Sequence, residues 1–125
     1  MVPALVEEMC DYVNDNLGKP PIHLAAYLLW RINWIHPFDD GNGRTARAAS
    51  YAVLSILCGY ELPGTRTIPE QLAENKQPYY KALEAADEAC SKNRLDVTAI
   101  ESMLQEMLAT QLVSVHEKAT GTKLT

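Results

Sequence analysis

The sequence is short of the features that mark many protein classes. Its three cysteines, Cys10, Cys58 and Cys90, are odd in number and show no C-x-x-C spacing. That argues against a disulfide framework and against structural zinc, and it fits a reducing, cytoplasmic setting. No apolar run reaches the length of a membrane span, and no basic segment with an apolar stretch follows Met1, so no signal peptide is visible. Basic residues are the minority, 11 Lys and Arg against 16 Asp and Glu, for a net charge of −5. This balance argues against nucleic acid as a partner. There is no internal repeat, no low-complexity stretch and no strand-like alternation. At 125 residues the chain has the length of one domain, and such a chain buries roughly two-thirds of its unfolded surface without needing staples.

What is present is helical periodicity. Val2 to Leu17 carries Leu5, Val6, Met9, Tyr12, Val13 and Leu17 at three- and four-residue steps, with Glu7, Glu8, Asp11 and Asp15 facing away. Gly18-Lys19-Pro20-Pro21 then turns the chain. A second helix, about Pro21 to Ile35, is apolar nearly all round and should be central, with Tyr27, Trp30 and Trp34 in the core and His23 structural or exposed. A third helix over about Gly43 to Cys58 has the small residues Ala46, Ala48, Ala49, Ser50 and Ala52, which permit close approach, and Gly59 suits its end. Pro63-Gly64 signals a turn. Short and medium helices follow over Ile68 to Glu74 and Gln77 to Cys90. Asp96 is placed to cap a last helix over about Val97 to Lys118. Its packed face is marked by Val97, Ile100, Leu104, Met107, Leu108, Gln111, Leu112 and Val115, with His116 exposed. Ala119 to Thr125 reads as a polar tail. The expected fold is all-α, a helical bundle in one domain over residues 1–118.

Chemistry is concentrated in residues 36–47: His36-Pro37-Phe38-Asp39-Asp40-Gly41-Asn42-Gly43-Arg44-Thr45-Ala46-Arg47. Pro37 disfavours the α conformation at His36, so the incoming helix should stop there. Gly41 and Gly43 let backbone N–H groups approach a ligand. A helix N-terminus with free N–H groups is an anion site. Arg44 and Arg47, three apart, share its face and offer two guanidinium forks to a polyphosphate. Asp40 is a hard oxygen donor suited to Mg²⁺ bridging phosphates, and Asn42 can donate its amide to a phosphate oxygen. His36 is a residue type able to take a proton near neutral pH. Asp40 as a helix cap or the arginines as surface ion pairs would explain each residue singly, but not all of them at this spacing. Residues 31–47 set three arginines against two aspartates, a locally positive stretch in an acidic chain that suits a small anionic ligand.

The run His36-Pro37-Phe38-x-Asp40-Gly41-Asn42-Gly43-Arg44-x-x-Arg47 resembles the signature of the Fic family. The resemblance implies a helical fold whose loop binds ATP–Mg²⁺ and transfers AMP to a hydroxyl of a target protein. It implies His36 as the catalytic base and Asp40 as the metal carrier. Gly41, Asn42, Gly43 and Arg44 would hold the α- and β-phosphates, with Arg47 at the γ-phosphate. Phe38 would plug into the core to anchor the loop, and Asp39 falls in the same nucleotide-binding stretch. The segment Tyr79-Tyr80-x-Ala82-Leu83-x-x-Ala86-Asp87 is similar to the family's base-flanking helix, implying Tyr80, Leu83 and Asp87 beside adenine.

Two family features find no good match. The self-inhibitory motif Ser/Thr-x-x-x-Glu-Gly/Asn is approached only by Ser102-x-x-x-Glu106, which Met107 follows. The target-docking hairpin would precede Val2-Pro3. The sequence therefore looks like a catalytic core whose inhibitory helix lies elsewhere in a longer chain or on a partner. Phosphate-transferring relatives have Lys where Gly43 stands, so Gly43 favours AMP. Transfer of another nucleotide or phosphate-linked group, and a non-catalytic nucleotide-binding module, are the alternatives.

Overall fold

In a computed structural model, which describes residues 1–59 and 61–121, the chain folds as six α-helices, with no strand among the described residues. They are α1 (Val2–Asp15), α2 (Pro21–Ile35), α3 (Asn42–Cys58), α4 (Ile68–Glu74), α5 (Lys76–Ser91) and α6 (Thr98–Thr120). The architecture is a single all-helical domain arranged around α2, which packs against α1, α3, α5 and α6.

The sequence of α2 explains its central place. Pro21 occupies the first turn, where a missing N–H has no consequence. From Leu24 to Trp30 every residue is buried, as expected of a helix with no polar face. Its tightest neighbour is α3. Ala25, Ala26 and Ala46 are fully buried, and Ser50 Oγ donates to the Ala25 carbonyl at 2.8 Å. Small side chains let the two helices approach closely, and the serine hydroxyl satisfies itself on α2 backbone.

Several boundaries and faces differ from the sequence expectation. Helix α1 ends at Asp15, leaving Leu17 exposed, because Asn16 Nδ2 donates to the Tyr12 carbonyl at 2.7 Å and competes with continuation of the helix. Trp34 is 42 % exposed rather than in the core. Its ring face is covered by the Arg31 guanidinium, 4.4 Å from the centroid, a cation–π contact that substitutes for apolar enclosure. On α6, Leu112 and Val115 are exposed, while Gln111 and Ser114 are buried. The packed face is phased one residue earlier because it turns polar there. Helix α6 runs to Thr120, into the stretch expected to be tail; residues 122–125 lie outside the described residues. Helix α6 starts at Thr98 with Val97, not Asp96, at its N-cap position; Asp96, one residue earlier, accepts the Thr98 N–H at 3.0 Å. That bond holds its carboxyl below the usual carboxylate range.

The buried Gln111 joins three segments. Its Oε1 accepts the Ile68 N–H at 3.0 Å. Its Nε2 donates to Tyr51 Oη at 2.8 Å and toward the Leu62 and Pro63 carbonyls at 3.3 and 3.0 Å. Gly64, at φ +114°, sits so close that a Cβ would collide with the Gln111 carbonyl oxygen. One amide thus ties the α3–α4 connection to α6. Gln111→Leu fills the same space but strands several buried polar groups at about 1–3 kcal/mol each. We expect a loss of more than about 2 kcal/mol in urea unfolding, whereas exposed Gln105→Leu should leave the midpoint nearly unchanged.

Candidate active site

The loop between α2 and α3 is shaped at both ends by backbone geometry. His36 closes α2 with its N–H on the Ile32 carbonyl at 2.9 Å and adopts a left-handed conformation, φ 55° and ψ 58°. This conformation is uncommon for a residue with a Cβ and is a form of stored strain found at functional sites. Pro37 excludes continuation of the helix. At the other end Gly41, φ 78°, precedes α3, a value that favours glycine.

Between these ends the loop is clasped by Asn42. The Phe38 N–H donates to Asn42 Oδ1 at 2.9 Å, and Asn42 Nδ2 donates to the Phe38 carbonyl at 2.8 Å. The Asn42 side chain is 4 % exposed. Oδ1 and one Nδ2 hydrogen of Asn42 are thus engaged by the loop's own backbone, in addition to its place in the pocket lining. Phe38 is not a plug: its ring is 51 % exposed, and the loop is anchored through its backbone, because two hydrogen bonds to a buried amide already fix it there.

The clasped loop encloses a pocket of about 320 Å³. His36, Asp39, Asp40 and Gly41 line it from the loop, and Asn42, Gly43, Arg44 and Arg47 from the first turns of α3. The first backbone bond of this helix runs from the Thr45 N–H to the Gly41 carbonyl at 3.0 Å. The N–H groups before Thr45 therefore have no intrahelical acceptor, and the positive end of the helix dipole lies beside the pocket. Arg44 and Arg47 flank it as their spacing predicts. Arg44 lies 3.7 Å from Asp40, with side chains 76 % and 95 % exposed, a pair that contributes little and is free to exchange partners.

The pocket's chemistry suits a polyphosphate: a helix N-terminus, two guanidinium groups, one imidazole and exposed carboxylates. Among the described residues there is no cluster of three or more potential metal ligands. A magnesium ion would therefore take one bond from Asp40 and the rest from phosphate oxygens and water, a donor set that Mg²⁺ commonly accepts.

Tyr80, Leu83 and Asp87 do not line this pocket. Tyr80 is exposed and Leu83 is partly buried against the core. Asp87 accepts the Trp30 Nε1–H at 2.8 Å, which pins α5 to α2 and commits one carboxylate oxygen. The residue of this segment that ties α5 to the end of α2 is Tyr79, which the family likeness includes without a role. Tyr79 is buried, and its hydroxyl accepts from Asn33 Nδ2 at 2.9 Å. Burial pushes its phenol above 10.0, partly offset by the bond from Asn33 and by the nearby Arg47 guanidinium. The available signal was the helical phase of Tyr79, Ala82, Ala86 and Ala89, all buried, which alanines disguise as a weak face.

Fold and loop together define an all-helical domain with a loop carrying His36 and leading into Arg44 and Arg47 between its two most closely packed helices. Residues 1–54 match the Fic/DOC family; this stretch holds α1, α2, the loop and most of α3. The chain is similar to a Fido domain-containing protein of Dictyostelium discoideum, 35 % identical over 101 residues, covering 75 % of this chain and 66 % of that protein. It is also similar to a protein adenylyltransferase fic-1 of Caenorhabditis briggsae, 45 % identical over 42 residues. A third relative is a protein adenylyltransferase Fic of Drosophila persimilis, 38 % identical over 68 residues. The chain covers 32 % and 54 % of its own length in these two matches but only 8 % and 12 % of theirs. No solved structure is a significant match. Among the described residues no helix is long and apolar enough to cross a membrane.

If the Asn42 amide is a clasp, the isosteric Asn42→Asp exchange leaves the Phe38 carbonyl facing a carboxylate. Stability should then fall by about 1–3 kcal/mol in urea unfolding. A residue serving only as an exposed phosphate ligand would leave the unfolding curve unchanged.

Proposed function

We propose that this chain is a Fic-type protein adenylyltransferase core, moving AMP from ATP to a hydroxyl side chain of a target protein. The observation that carries the reading is the convergence of His36, Arg44 and Arg47 on one pocket at the N-terminus of α3. The adenylyltransferase names of several relatives support it.

In this reading the N–H groups of Asn42, Gly43 and Arg44 and the Arg44 guanidinium hold the α- and β-phosphates, and Arg47 holds the γ-phosphate. The His36 imidazole takes the proton of the target hydroxyl as its oxygen bonds to the α-phosphorus. The bond from that phosphorus to the bridging oxygen breaks, and pyrophosphate leaves. Asp40 would hold magnesium, which when bound would supply charge neutralisation of the triphosphate. Asp39 lines the pocket, and the exposed Phe38 just before it in the loop would meet an approaching target segment. Tyr80, Leu83 and Asp87 are the residues proposed beside adenine, with Asp87 acting through the oxygen that Trp30 does not occupy. Target docking and an inhibitory helix, in cis or in trans, belong to the whole protein.

The direct test is mass spectrometry of protein incubated with ATP–Mg²⁺ and cell lysate. Addition of AMP supports the reading, addition of phosphate points to the phosphate-transferring alternative, and no change to a binding module. His36→Ala should cut transfer by about 10²–10⁴-fold while calorimetric ATP affinity holds; parallel loss of affinity would overturn the assigned role. Arg47→Ala should weaken ATP by about 1.5–3 kcal/mol and ADP by much less. Equal weakening of both nucleotides would move Arg47 away from the γ-phosphate.

A further inference from the structure

A second pocket, of about 310 Å³, shares no lining residue with the loop pocket. Its size is at the lower end of small-molecule sites. One wall is aromatic: Tyr12 of α1 and Tyr27 of α2 lie with ring centroids 4.1 Å apart, and Trp30 meets Tyr27 edge-on at 6.2 Å. The opposite wall comes from Cys90 and from the α5–α6 connection, including Arg94.

The feature that calls for a ligand is Arg31, which also lines this pocket. Its guanidinium is stacked, 5.3 Å from the Trp30 centroid and 4.4 Å from that of Trp34. Stacking orients the group and leaves its edge donors in plane. Among the described residues Arg31 makes no ion pair, and its Nε is buried with no hydrogen-bond partner. A buried charged donor without an acceptor is costly and needs an explanation. The Nη donors of Arg31, which unlike Nε are not buried, are the ones a carboxylate entering the pocket can reach. The charge count limits the ligand: Arg31 and Arg94 are opposed by Glu8 alone, an excess of one positive charge.

We propose that this pocket is a second small-molecule site, for a planar aromatic monocarboxylate whose carboxylate pairs with Arg31 and whose ring lies against Tyr12, Tyr27 and Trp30. A polyanion would be repelled by Glu8, and a neutral ring would leave the pocket's excess positive charge unanswered.

Benzoate is the probe, with benzamide as its neutral counterpart. The chain's two tryptophans both touch Arg31, so their indole N–H resonances in ¹H–¹⁵N spectra report binding, with Trp34→Phe assigning them. Benzoate should shift the Trp30 resonance saturably, and benzamide should bind roughly tenfold or more weakly, as should benzoate to Arg31→Met, which keeps the stacked stem and loses the charge-assisted bonds. Benzoate should also slow alkylation of Cys90 but not of exposed Cys10. Saturating ATP–Mg²⁺ should leave benzoate affinity unchanged, whatever the fate of the adenylyltransferase reading. Equal binding of benzamide, or unchanged affinity in Arg31→Met, overturns the carboxylate site. Displacement by ATP–Mg²⁺ overturns its independence and makes the pocket part of the nucleotide site. If Arg31→Met does not fold, Arg31→Lys, which keeps the charge without the fork, must show the same weakening or the inference falls.

Discussion

The candidate site depends on one buried amide. Asn42 sits at the first position of α3 and spends an acceptor and a donor on the backbone of Phe38, four residues earlier. Because the amide is buried, leaving either bond unmade would cost the desolvation of that group, so the loop is held in one shape. The clasp works only if α3 itself is fixed relative to α2. That is the task of the small-residue seam, where Ala25, Ala26 and Ala46 allow contact and Ser50 bonds the α2 backbone. Rigidity therefore passes from the seam to Asn42, and from Asn42 to the peptide groups around the pocket. Preorganised donors of this kind are what stabilise charge in transfer reactions.

A second support comes from α5. The Tyr79 hydroxyl receives Asn33 from the last turn of α2 and lies within the influence of Arg47. Asn33 also donates to the Leu29 carbonyl, which orients it. One phenol thereby relates the end of α2, the first turns of α3 and the start of α5, the three places from which the pocket is built or flanked. Farther along, the Trp30–Asp87 bond repeats the connection between α2 and α5. These polar ties are set in an apolar core, where low dielectric strengthens them and penalises their loss. The strain at His36 is tolerated because this scaffold over-determines the loop.

The two pockets illustrate two ways of managing positive charge. In the loop pocket Arg44 projects from a helix N-terminus into solvent with Asp40 as a loose partner, while Arg47 is half-buried near Tyr79. In the other, Arg31 lies over the Trp30 and Trp34 rings and its Nε is withdrawn from water. The first arrangement suits a mobile, highly charged ligand with its own counter-ion. The second suits a single carboxylate, since a stacked guanidinium offers direction more than field strength.

The existence and order of all six helices were legible from hydrophobic periodicity and from Pro and Gly punctuation, because these signals are local and act through the backbone. So was the membership of the loop pocket: His36, Arg44 and Arg47 converge because proline stops one helix, glycine starts the next, and a three-residue step shares a face. What periodicity could not decide is which side of a residue meets a neighbour from a distant part of the chain. Trp34 read as core from its apolar helix, and Phe38 from the family resemblance, yet both stand exposed; Gln111 read as a packed-face residue, but that it and Tyr79 are hydrogen-bonded hubs did not show. Asn42 read only as a ligand donor, and its clasp on Phe38 did not show. In each case the outcome depends on hydrogen-bond partners and packing surfaces that only tertiary contact supplies, since a polar group is buried where its partner happens to be and not where its own hydrophobicity would send it.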